Sequence, residues 1–113
     1  MTVKELSQHY YLTREIENEK KRLEDIKNNP DSYGDDTFLI SVISSKIEKC
    51  MHTKTQIEEY ISSISDSMTR QIFTYRFINR LSWTHVARRI GGNNTGDSVR
   101  MICKRYIGKH RDI

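Results

Sequence analysis

Two adjoining stretches carry the side chains best suited to chemistry. Residues 91–98 read GGNNTGDS, and VRMICKRY follows at once. A glycine, four residues, a glycine, one residue and a serine is nearly the spacing of a phosphate-cradling nucleotide loop. That loop needs a strand before it and a lysine before the serine, so that backbone N–H groups and an ammonium meet the phosphates. Here Asp97 holds the lysine position, where a carboxylate repels phosphate, and the preceding pattern is helical. Asn93-Asn94-Thr95 is a formal glycosylation triplet, but the first residues are charged throughout and give it no secretory context. The remaining reading is a tight turn that aims a basic helix at an anionic partner. Glycine and asparagine tolerate the left-handed backbone of such a turn. Thr95 or Asp97 can accept hydrogen bonds from the free N–H groups that open the next helix.

Other chemistry-bearing residues do not assemble into a site by spacing. His9, His52, His85, His110, Cys50 and Cys103 match no zinc pattern, so the expectation is surface histidines, buried thiols and no metal. No serine, histidine and aspartate set sits around a recognisable nucleophile turn, so no catalytic residues and no cofactor are expected. Two cysteines are too few for a disulfide framework. No window approaches a membrane span, and the chain reads as cytoplasmic.

The elements that must position the basic stretch are helical. Charged residues make up 30% of the 113-residue chain, and there is one proline. That balance suits long solvated helices. A first helix over 3–27 carries Val3, Leu6, Tyr10, Ile16, Leu23 and Ile26, mostly at helical spacing. A breaker, NNPDSYGDD at 28–36, ends it. A second helix over 37–63 sets Leu39, Ile43, Ile47, Cys50, Lys54, Ile57, Ile61 and Ile64 in near-heptad steps. The two should fold back as an antiparallel hairpin, stripe against stripe. The same stripes could instead form a dimer seam.

Three shorter helices follow. The third, over 69–79, carries Ile72, Phe73, Tyr75 and Phe77, with Asp66, Ser67 and Thr69 as candidate caps. The fourth, WTHVARRI after a Ser82 cap, places Trp83, Val86, Ala87 and Ile90 on one face and stops at Gly91. The fifth, near 97–107, repeats that face with Val99, Ile102, Cys103 and Tyr106. Arg100, Met101 and Lys104 point the other way, with Arg105 on the flank. Two amphipathic helices joined by a small turn read as a helix-turn-helix, and the second helix suits a major groove.

Charge separates along the same line. Residues 1–65 hold 9 Lys+Arg and 12 Asp+Glu, a net of −3, while residues 66–113 hold 10 and 3, a net of +7. A basic C-terminal part favours an anionic partner, most commonly nucleic acid.

The order Arg76-Phe77-Ile78, Leu81-Ser82-Trp83, Val86-Ala87, Gly91 and Ser98-Val99 resembles region 4 of sigma-70-type factors. The resemblance covers residues 64–107. The turn after Gly91 is about two residues longer than is usual there, and it looks like that of small sigma-region-4-like proteins of phages and prophages. These are generally regarded as transcriptional regulators. The resemblance implies DNA binding by the fifth helix. Nothing in the chain resembles the promoter-melting region of a full sigma factor.

These readings give an all-α chain with a long N-terminal helical hairpin (1–65) and a three-helix DNA-binding domain (66–113). The partners expected are double-stranded DNA, RNA polymerase and a second copy of the chain. Arg100 and Lys104 are expected at base edges, with Asn94, Ser98 and Met101 as weaker candidates. Arg88, Arg89, Thr95, Arg105 and Lys109 are expected to hold phosphates, and His85 is a further candidate. The alternatives are a non-enzymatic adaptor on RNA polymerase or another protein, and a phage DNA-packaging recognition subunit.

Overall fold

The computed structural model describes residues 1–29 and 36–110, and over these the chain is all-α, with no strand. The elements are α1 (Val3–Asn28), α2 (Thr37–Ser62), α3 (Ser67–Phe73), a π-helical turn (Thr74–Ile78), α4 (Trp83–Ile90) and α5 (Gly96–Lys109). Most of the breaker expected at 28–36 lies outside the described residues, as does Arg111.

By its contacts the chain divides into two compact units, Met1–Tyr10 with Ile57–Ile113, and Tyr11–Gln56. Both long helices contribute to both units. The second unit is built on one apolar cluster: Ile16 and Ile26 of α1 with Ile43, Ile47 and Cys50 of α2. Lys46 Nζ lies 3.6 Å from Glu15 and 3.5 Å from Glu19, on the rim of that cluster. Burial, and then the neighbouring Glu15, push the Cys50 thiol above its ordinary range.

The first unit buries Leu6 from the start of α1, Ile57 and Ile61 from the end of α2, and Ile64 beyond it. Ile72, Phe73, Phe77, Val86, Ala87, Val99 and Cys103 are buried in the same unit. Phe73 is its aromatic hub. Its ring centroid lies 5.3 Å from Tyr106, edge-on, 5.6 Å from Phe77 and 6.4 Å from Tyr60. Tilted and edge-on pairs of this kind add to what area burial alone contributes.

Two expectations about α1 are corrected here. Val3 is 50% exposed rather than inward. His9 is buried rather than on the surface, with Nε2 2.8 Å from Glu58 Oε1. A buried imidazole needs a polar partner, and Glu58 of α2 supplies one.

The third helix starts earlier than expected and does not run on as a regular helix. Asp66 caps it, accepting hydrogen bonds from the Thr69 amide at 3.0 Å and the Thr69 hydroxyl at 2.7 Å. Those bonds hold the Asp66 carboxyl below its usual range. After Phe73 the backbone widens, and the Asn79 amide reaches back to the Thr74 carbonyl at 3.0 Å. The Thr74 hydroxyl donates to the Arg70 carbonyl at 2.9 Å, a side-chain bond of the kind that competes with the regular ladder.

Arg80 then takes φ 56°, the left-handed region, which costs a side-chain-bearing residue roughly 1–2 kcal/mol. Its guanidinium lies 3.7 Å from the centroid of the Tyr10 ring, a favourable contact that offsets part of that cost.

Candidate nucleic-acid interface

Two short helices and the turn between them carry the basic residues. α4 opens on Ser82, whose hydroxyl accepts from the His85 amide at 3.2 Å. It closes at Gly91, where φ is 80°, and Gly92 continues the reversal at 66°. Glycine is favoured at both, since a Cβ is disfavoured there.

The turn is held by its own polar side chains. Asn94 Nδ2 donates to the Gly91 carbonyl at 3.0 Å, and Asn94 Oδ1 accepts from the Ser98 hydroxyl at 3.3 Å. Thr95, not Asp97, caps α5: its hydroxyl accepts from the Ser98 amide at 3.2 Å, and Ser98 Oγ accepts from the Thr95 amide at 2.8 Å. This reciprocal box satisfies two donors that would otherwise lack partners. Asn94 and Ser98 are half-buried, and the bonds above engage their side-chain polar atoms within the turn. Both are expected near bases, and in this structure they also shape the turn.

Gly96 opens the helix itself and has no positive φ. An added Cβ would meet the Thr84 amide nitrogen at 3.4 Å, so this glycine serves the close approach of α5 to the start of α4.

Val99 and Cys103 of α5 are buried, and Ile102 and Tyr106 are half-buried, as the expected inward face requires. Burial pushes the Cys103 thiol up to about 12, with the Arg76 guanidinium acting weakly the other way. Arg100, Met101, Lys104, Arg105 and Lys109 are exposed, as are Arg88 and Arg89 at the end of α4 and Thr95 at the cap. None of the six cations on α4 and α5 forms an ion pair with a described carboxylate. His85 is exposed, with Nδ1 3.0 Å from Ser82 Oγ.

Arg100 and Lys104 do not stand on open ground. They help line a pocket of about 280 Å³, together with Val3 and Ser7 of α1 and with Arg76, Phe77, Trp83 and Cys103. Trp83, expected as core, is half-buried. The Arg76 guanidinium lies 4.4 Å from its ring centroid and donates to the Leu81 carbonyl at 3.0 Å.

Comparison with profiles of protein families, with curated proteins and with solved structures gives no match to this chain. Among the described residues no three His, Cys, Asp or Glu side chains gather as a metal site, and no helix is long and apolar enough to cross a membrane.

Sequence reasoning did not single out Val3, Ser7 or Arg76 as neighbours of the basic ridge. Val3 and Ser7 are about a hundred residues away, and no local pattern places them there. Arg76 was visible only as part of a short motif.

Proposed function

We propose that the chain is a DNA-binding transcriptional regulator of phage or prophage type. In this reading α4, its turn and α5 act as a helix-turn-helix, with α5 entering the major groove. The long helices act as an antiparallel hairpin that orients or pairs two such units, because one short recognition helix reads few bases. The observation that carries the reading is the set of exposed cations on α4 and α5, namely Arg88, Arg89, Arg100, Lys104, Arg105 and Lys109, with no described carboxylate neutralising them. The resemblance over residues 64–107 points the same way.

The side chains divide into two roles. Arg100 and Lys104 face base edges, and an arginine fork can read guanine bidentately, worth about 1–3 kcal/mol of discrimination. Met101 lies beside Arg100 on the exposed face, where a thioether fits a thymine methyl. Arg88, Arg89, Arg105 and Lys109 meet phosphates and set register. The exposed Thr95 cap presents the start of α5 to a phosphate.

Gel retardation with random duplex, followed by selection of bound duplexes from a random pool, tests this. Retardation at low salt and one enriched sequence are expected, and a palindromic sequence would mean a dimer. Arg100→Ala with Lys104→Ala should erase the preference while leaving the fold intact. Absence of retardation even at low salt would instead favour an adaptor that contacts RNA polymerase or another protein.

A further inference from the structure

We infer that the pocket beside α5 is a binding site for a small aromatic anion, such as a benzoate-like carboxylate or an aryl phosphate. Its volume is about 280 Å³, room for a single ring and an acidic group. Phe77, Cys103 and Val3 give its lining an apolar part, and Trp83 an aromatic one. Three cations, Arg76, Arg100 and Lys104, meet in the same small space. None of them forms an ion pair with a described carboxylate. Arg76 is the telling one. It is half-buried, and it meets a neutral carbonyl, that of Leu81, and the face of the Trp83 ring. A guanidinium drawn partly out of water favours an anionic partner, and its planar fork suits a carboxylate or phosphate. An apolar and aromatic lining with three cations selects a ligand having both a flat ring and an acid.

The pocket shares Arg100 and Lys104 with the surface assigned to DNA, so a bound anion should weaken duplex binding. That consequence rests on the DNA reading; ligand binding itself does not.

Trp83 is the chain's single tryptophan, so its fluorescence reports on the pocket directly. Benzoate and phenyl phosphate, titrated into the full chain, should perturb that fluorescence saturably, with Kd near or below about 1 mM. Equilibrium dialysis should give the same Kd. Arg100→Gln and Lys104→Gln, with circular dichroism confirming the fold, should each weaken binding about tenfold or more. Equal binding of neutral benzyl alcohol, equal binding of inorganic phosphate, or undiminished binding by the double variant would overturn the assignment. So would failure of both anions to bind. Saturating benzoate should also weaken duplex retardation. A duplex that binds in its absence and is unaffected by it overturns the competition, while no duplex binding under any condition counts against the DNA reading alone.

Discussion

Thr95 and Ser98 hold one another: the Thr95 hydroxyl accepts from the Ser98 amide at 3.2 Å while Ser98 Oγ accepts from the Thr95 amide at 2.8 Å. The pair fixes where α5 begins and therefore the angle at which its basic ridge leaves the turn. Thr95→Ala should cost about 1 kcal/mol of stability, measured by urea unfolding. Thr95→Ser keeps the hydroxyl and should recover most of it.

Phe73 is completely buried and touches Tyr60, Phe77 and Tyr106. Phe73→Ala should cost about 3–5 kcal/mol, through lost burial and the cavity left behind. Met68→Ala in the same helix, at a 39% exposed position, should stay within about 0.5 kcal/mol. Equal midpoints in thermal melts of the two variants would contradict the core described above.

Cys103 predicts an alkaline effect. Its thiol is pushed from 9.0 to about 12 in the fold by burial. The neutral form is favoured in the native state, so this contribution is complete below pH 9 and is lost as pH rises from 9 towards 12. The stability advantage of wild type over Cys103→Ala should shrink across that window. Parallel curves would argue that Cys103 is solvated.

Asp66 predicts an acid effect of opposite sense. Its carboxyl is held below the ordinary 3.8 by the Thr69 hydroxyl and amide. The cap's contribution is therefore present above that value and fades as pH falls through the lowered one. Asp66→Asn retains a capping side chain without the titration. Its stability should fall less steeply on acidification than that of wild type.

For the proposed duplex complex, contact of six phosphates would give a slope of log K against log salt of about −5. Removing one phosphate contact, as in Lys109→Ala, should make the slope shallower by about 1 while leaving sequence preference unchanged. A slope near zero in wild type would rule out a phosphate-dominated interface.

Much of the local structure was legible because it follows from local rules. Ser82 and Gly91 bound α4 where a cap and a left-handed glycine were expected, and the buried stripe of α2 follows its isoleucines. The choice between Thr95 and Asp97 as cap was not legible, since both side chains can accept; the reciprocal bond from Ser98 decides it. The widened turn at Thr74–Ile78 carries no periodicity signal in the sequence. Least legible was whatever depends on distant chain segments. The burial of His9 requires Glu58, the exposure of Val3 breaks a regular stripe, and the pocket beside Arg100 needs both the first turns of α1 and Arg76.

A Cβ at position 96 would lie 3.4 Å from the Thr84 amide nitrogen, so the openings of α4 and α5 pass within van der Waals contact of any side chain placed there. In the proposed complex, a bulkier residue at position 96 would press on Thr84 and Trp83, shift α5 relative to α4 and misalign both rows of charge at once.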